Sequence, residues 1–468
     1  MHTNNDTSWL DESLIWQTLS QAGQHDSARV QEILAKGREL KGISMEEMAV
    51  LMQVSDPELL SEIFETARYV KNEIYGPRLV LFAPLYVSNM CCNECVYCAF
   101  RVKNKEIPRR ALTQEEIAEE TRILVDQGHK RVLLVAGEAL PQQGFQYILD
   151  SIATIYDTKV GNGEIRRINV NIAPLEVEKF RQLKAAQIGT YQLFQETYHR
   201  ETYLSVHVAG PKRNFDWRIT AMDRAMEAGI DDLGVGVLFG LFDWRFELLA
   251  LMLHAAHLEA KFGVGPHTIS VPRLEPATGS DLASHPPFAV SDIHFRKIVA
   301  LLRIAVPYTG IIMSTRESGD IRRETFALGV SQISAGSRTN PGGYHEGEPV
   351  NEQISGQFSL GDHRPLDEVV RDISQLGYVP SFCTACYRLG RTGADFMDLA
   401  KPGLIKAHCD CNALSTFQEY LLDYASDETR AAGEAMIAKR LTEMDPANRQ
   451  TSERMIERVR SDERDVFV

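Results

Sequence analysis

The sequence predicts an α/β protein built on a closed (β/α)8 barrel of the TIM type, with a helical N-terminal extension and a mainly helical C-terminal domain. Three observations carry this reading. Eight short apolar segments of strand character recur between residues 78 and 337. Amphipathic helical segments separate them, as parallel βα units require. The first 76 residues and those after 350 carry helical spacing instead.

The N-terminal segments "DESLIWQTLSQA", "SMEEMAVLMQ" and "DPELLSEIFETARYVKNEIY" place apolar residues three and four apart, with Ser44 and Asp56 as N-caps. Near Gly76-Pro77 the period changes. The expected strands are 78–87, 131–137, 167–173, 190–196, 232–240, 268–274, 310–316 and 331–337. Between them run helices such as "TQEEIAEETRILVDQG", opened by a capping box of Thr113 and Glu116. A doubly wound open sheet is the rival arrangement, but "GVGVLFG" (234–240) lacks the glycine spacing of a dinucleotide fingerprint and lies inside a strand. The expected domains are 1–76, 77–350 and 351–468.

Composition bounds the function. The chain has 468 residues, is 44% hydrophobic and 24% charged, and carries a net charge of −14. That charge argues against a broad nucleic-acid surface. The longest apolar run, "LVLFAPLYV", is far too short for a bilayer, and no signal peptide is evident. The expectation is a cytoplasmic protein, in which clustered thiols point to metal rather than disulfides.

All eight cysteines fall in two knots, "NMCCNECVYCAFR" (89–101) and "FCTACYR"…"HCDCNA" (382–413). Cys91, Cys95 and Cys98 form C-x3-C-x2-C directly after the first strand, at the end of a barrel where active sites are built. Three thiolates on one loop can hold three irons of a 4Fe–4S cubane and leave the fourth open; a closed cluster wants a fourth cysteine. Zinc is the alternative, usually as C-x2-C pairs completed from elsewhere. Cys92 reads as a bystander. Cys383, Cys386 and Cys409 form C-x2-C-x22-C, for which spacing leaves zinc, completed by Cys411 or His408, and iron–sulfur both open.

The first knot resembles that of the radical S-adenosylmethionine (SAM) superfamily. The resemblance implies a SAM-binding 4Fe–4S cluster, with Tyr97 near the adenine and Gly137-Glu138 in "AGE" standing where the superfamily has Gly-Gly-Glu. Ala136 departs from the first glycine. Glu138 would accept the amino group of the methionine moiety, Glu196 would reach the ribose and Arg213 the carboxylate. Reduction of the cluster would release a 5′-deoxyadenosyl radical that takes a hydrogen atom from substrate.

The run "PSFCTACYRLGRTGADFMDLAKPGLIKAHCDCNALSTFQEYLLDYAS", together with "GVGPHTISVPR", is similar to the HydG family of hydrogenase-maturation tyrosine lyases over nearly the whole chain. That implies cleavage of L-tyrosine at Cα–Cβ to p-cresol and dehydroglycine. Dehydroglycine would then become carbon monoxide and cyanide on an auxiliary 4Fe–4S cluster with an extra labile iron, giving a precursor of the FeFe-hydrogenase active site. The implied ligands are Cys383, Cys386 and Cys409, with His267 on the labile iron. Cys411 stands where the family has proline, which leaves the third cysteine in question. Implied partners are an electron donor such as a ferredoxin or flavodoxin and other hydrogenase maturation proteins. For the tyrosine carboxylate the expected residues are Arg316 with Ser314, then Arg322, against salt bridges to Glu317 or Asp320. Two other readings stand beside this one: a tyrosine lyase supplying dehydroglycine (2-iminoacetate) for thiamine-thiazole synthesis, and an iron–sulfur scaffold or carrier. His267 precedes the sixth strand while Cys91, Cys95 and Cys98 follow the first, so the two metal sites should lie at opposite mouths, roughly 20 Å or more apart.

Overall fold

A computed structural model describes residues 6–23, 26–346, 355–401 and 404–468. Eight parallel strands form the barrel: β1 (Arg78–Ser88), β2 (Arg131–Ala136), β3 (Arg167–Asn171), β4 (Tyr191–Gln192), β5 (Leu233–Gly236), β6 (Thr268–Ser270), β7 (Gly310–Met313) and β8 (Val330–Ser334). Each pairs with the next. The barrel closes where Val80, Leu81 and Phe82 of β1 meet Gln332, Ile333 and Ser334 of β8. All eight expected strands are present, most of them shorter than their apolar runs.

The N-terminal helices follow their caps. Ser44 and Glu47 complete a capping box on Met45–Gln53, and Asp56 accepts from the backbone of Glu58 and Leu59 to start Pro57–Tyr75. That helix ends at Gly76, whose φ of 61° lets the chain turn into β1 at a position where a side chain would be strained. Thr113 and Glu116 close the expected box on Gln114–Asp126.

Three departures matter for function. The expected strand 190–196 is regular only at Tyr191–Gln192; Leu193 and Gln195 still donate to the Gly234 and Gly236 carbonyls, and Glu196, at φ 70°, ends the run in a single bridge to Val237. The amphipathic segment "FDWRITAMDRAMEAG" (215–229) forms two helices, Phe215–Ile219 and Ala221–Glu227, separated at Thr220. After residue 350 the chain is not strand-free: Val379–Ser381 forms β9, parallel to Arg78–Val80 of β1. β1 starts below β2, and β9 takes the length of edge that β2 leaves open. The strand is only three residues long, too short to stand out from the helical pattern around it. The helix Ile405–Asp423 packs on β9 and brings Cys409 under the barrel.

Candidate active site at the two mouths of the barrel

A cavity of about 190 Å3 opens at the carboxyl ends of the strands, lined by Cys91, Cys95 and Cys98. The loop that bears them is held by the chain itself. Arg109 donates to the carbonyls of Asn89 (3.0 Å) and Phe100 (2.8 Å), and Asn104 donates to those of Ala99 and Thr278 (2.9 Å each). A turn closes Cys98 N–H on Cys95 O at 3.0 Å, and Glu94–Cys95 pair antiparallel with 207–209. Burial pushes the Cys95 and Cys98 thiols above their ordinary value. These two thiols resist ionisation and, with Cys91 beside them on one wall of the cavity, suit a positive centre that stabilises thiolates. The Phe100 N–H (3.4 Å) and the Gln357 amide (3.7 Å) are already aimed at the Cys98 sulfur. These residues fit an iron–sulfur cluster.

Beside the thiols stands a charged network. Glu138 pairs with Arg218 (3.0 Å) and accepts from Asn93 (2.7 Å); Glu196 pairs with Lys212 (2.7 Å) and lies 3.6 Å from Arg218. Burial alone would raise the Glu138 carboxyl, but Arg218 and Lys212 outweigh it and hold the group below its usual range. Gly137 packs so tightly on the Met90 carbonyl that any Cβ there would overlap it. Tyr97 lines the cavity and its hydroxyl meets His207 Nε2 at 2.8 Å. His207 Nδ1 faces the Tyr203 carbonyl, which assigns the proton to Nδ1 and makes Nε2 the acceptor.

Arg316 and Ser314 line the same cavity. The Arg316 guanidinium lies 3.2 Å from the centre of the Phe358 ring. No carboxylate pairs with it among the described residues: Glu317 is taken by Arg273 and Asp320 by Arg323. Burial lowers the Arg316 pKa.

Two expected residues are placed elsewhere. Arg213 is exposed and spends its guanidinium on the carbonyls of Leu204, His207 and Val208, outside the cavity; Lys212 and Arg218 supply the positive charge within. Arg322 is 0% exposed, ion-paired with Asp362 and bonded to the Ser334 carbonyl at 2.6 Å, so it braces the end of β8. Lys212 and Arg218 were open to sequence reasoning, since "KRNFDWR" offers three cations where one was chosen. Asn93 and Phe358 gave no such signal.

A second cavity, of about 60 Å3, lies at the amino ends of the strands. Cys383, Cys386, Cys409 and His267 line it, with Arg78 and Arg131 from the first residues of β1 and β2. Interaction between the two neighbouring thiols holds Cys386 below its ordinary value and pushes Cys409 well above. His267 Nε2 stands 3.2 Å from the Tyr387 hydroxyl, and burial lowers its pKa, keeping the imidazole neutral as a metal ligand must be. Cys411 is 2% exposed and packs against Met455, Val459 and Val466, away from this cavity, and His408 is exposed. Cys409, not Cys411, therefore completes the thiol triad.

The two cavities share their walls. Along β1, Arg78 and Val80 line the lower one while Phe82, Pro84 and Tyr86 line the upper, one continuous inward row. From Val80 to Tyr86 such a row rises roughly 20 Å. On β2, Arg131 faces the lower cavity and Leu133 and Val135 the upper.

A (β/α)8 barrel with a C-x3-C-x2-C loop and a buried Glu–Arg pair at its carboxyl mouth defines a radical-SAM enzyme, which carries a 4Fe–4S cluster and SAM. The Radical SAM superfamily matches residues 85–253, and the Biotin and Thiamin Synthesis associated domain matches 270–379. The chain is 29% identical to 2-iminoacetate synthase of Escherichia coli and 30% to that of Salmonella typhimurium, each over 72% of this chain and 86% of the relative. A crystal structure of HydG, a maturase of the FeFe-hydrogenase, is 50% identical with a TM-score of 0.95, covering 99% of this chain and 100% of the other. HydG from Carboxydothermus hydrogenoformans is 43% identical with a TM-score of 0.83, over 95% of this chain and 98% of that one. The chain belongs to the HydG family of FeFe-hydrogenase maturases. No helix among the described residues is long and apolar enough to cross a membrane.

Proposed function

We propose that this enzyme cleaves L-tyrosine between Cα and Cβ at the upper mouth, releasing p-cresol and dehydroglycine. Dehydroglycine becomes carbon monoxide and cyanide at the lower mouth, for an iron–carbonyl–cyanide precursor of the FeFe-hydrogenase active site. The observation that carries this reading is a thiol triad at each end of one barrel, joined by an inward row of side chains.

At the upper mouth Cys91, Cys95 and Cys98 hold the first cluster, which with SAM supplies one electron and a hydrogen-abstracting radical. Tyr97 flanks the adenine and Gly137 admits the cofactor backbone-close. Glu138 takes the amino group of the methionine moiety and Glu196 the ribose. Lys212 and Arg218 face its carboxylate. Arg316, without a carboxylate partner among the described residues, takes the tyrosine carboxylate, and Ser314 donates to it. Phe358, stacked on the guanidinium, fixes its plane.

At the lower mouth Cys383, Cys386 and Cys409 hold the auxiliary cluster, and neutral His267 reaches the labile iron. A cytoplasmic setting, a ferredoxin- or flavodoxin-type electron donor and hand-over to other maturation proteins complete the reading. Anaerobic incubation with reductant, SAM and tyrosine tests it. p-Cresol, carbon monoxide and cyanide together are expected; p-cresol with glyoxylate alone would mean a 2-iminoacetate synthase.

A further inference from the structure

The first cluster must receive an electron from outside, and the outer face of its loop differs from the rest of the surface. Among the described residues fifteen large hydrophobic side chains are exposed; Met90, Val102, Leu204 and Val208 cluster on or against this one loop. Val102 N–H donates to the Asn93 carbonyl at 2.8 Å, and Val208, 46% exposed, lies on the strand paired with Glu94–Cys95. Exposed Cys92 marks the outer edge of the loop.

The same face is basic, although the chain carries a net charge of −14. Lys103, Lys105 and Arg213 are exposed there. Lys105 Nζ rests on the Val102 carbonyl at 3.2 Å, and Arg213 bonds only carbonyls. No ion pair takes up any of these three charges among the described residues; the exposed carboxylates beside them are Glu106 and, one turn before Leu204, Glu201. An acidic protein approaching this chain is repelled by its net charge and attracted at this face. Steering of that kind raises association rates by ~10-fold to 1,000-fold.

We propose that this face, apolar at Val102, Leu204 and Val208 and basic at Lys103, Lys105 and Arg213, is the docking surface for a small acidic one-electron carrier protein. It rests on the radical-SAM reading and extends it to a partner. One electron passes from the reduced centre of the carrier, oxidised by one electron, to the cluster gripped by Cys91, Cys95 and Cys98, reduced by one. No bond forms or breaks and no proton moves.

The test follows cluster reduction by stopped-flow absorbance and freeze-quench electron paramagnetic resonance, without substrate turnover. The probes are reduced ferredoxin, flavodoxin hydroquinone and dithionite, each at low and high salt. Lys103→Glu/Lys105→Glu is expected to slow reduction by the faster protein carrier by at least ~10-fold and to flatten its salt dependence. Val208→Asn, which removes apolar surface without adding charge, is expected to slow it with the salt dependence kept. Reduction by dithionite should stay within about twofold in every variant. Unchanged reduction by the carrier in the double variant, equal slowing with dithionite, or a native protein that neither carrier reduces would overturn the docking surface. A native protein whose cluster dithionite also fails to reduce would overturn the radical-SAM reading with it.

Discussion

The two thiol sites are built in opposite ways. The upper triad comes from eight consecutive residues on one loop, clamped by Arg109 and Asn104 from the same stretch of chain. The lower triad is gathered from the turn after β9, the short helix Ala385–Arg388 and the long helix Ile405–Asp423, and its histidine arrives from the start of β6. A site made locally is readable from spacing and survives changes elsewhere. A site made by tertiary docking depends on β9 seating against β1. The comparison teaches that tyrosine cleavage and the chemistry that follows it should be separable by mutation.

The largest expected effect is at the upper loop. Cys95→Ala should reduce SAM cleavage and p-cresol to the detection limit, and with them carbon monoxide and cyanide, because everything downstream starts there. A variant still releasing p-cresol would remove the loop from the chemistry.

Arg316→Met should come next. Truncating one partner of a buried charge pair costs about 2–5 kcal/mol, so kcat/KM for tyrosine should fall by roughly 30-fold to several thousand-fold. Uncoupled SAM cleavage in the absence of tyrosine should persist. Arg322→Met, by contrast, should lower thermal stability by removing the buried ion pair with Asp362, which keeps only Arg364, and the bond to the Ser334 carbonyl, with little change in tyrosine KM in the fraction that folds.

His267→Ala sharpens the contrast from below. Iron analysis and electron paramagnetic resonance should show the extra iron lost with both cubanes retained, p-cresol near the native rate and carbon monoxide suppressed. Retention of that iron would remove His267 as its ligand. The smallest effect is expected from Cys411→Ser. Burying a hydroxyl costs about 1–3 kcal/mol and should lower Tm modestly, while iron content and carbon monoxide stay within about twofold.

What the sequence made legible follows the same division. The barrel, the capped helices and the upper thiols are local patterns, and each stands where its spacing placed it. Arg316 was legible because it ends a barrel strand; that Glu317 pairs with Arg273 instead was not, since Arg273 is distant in sequence. Among adjacent cations sequence gave no means of telling which turn inward: Arg213 faces out to three carbonyls while Lys212 and Arg218 meet Glu196 and Glu138. Helix geometry decides Cys409 over Cys411, because residues two apart on Ile405–Asp423 face opposite sides, one toward the barrel and one toward the C-terminal helix. β9 was lost in helical surroundings, and with it the reason the second knot sits beneath the barrel.

The central claim, that one barrel runs two consecutive reactions at its two ends, is tested most directly by Cys386→Ala, assayed anaerobically for p-cresol and carbon monoxide in the same vial. The account predicts p-cresol within about twofold of the native rate and carbon monoxide at background. Carbon monoxide at the native rate, or the loss of both products together from a folded protein with an intact upper cluster, would contradict it.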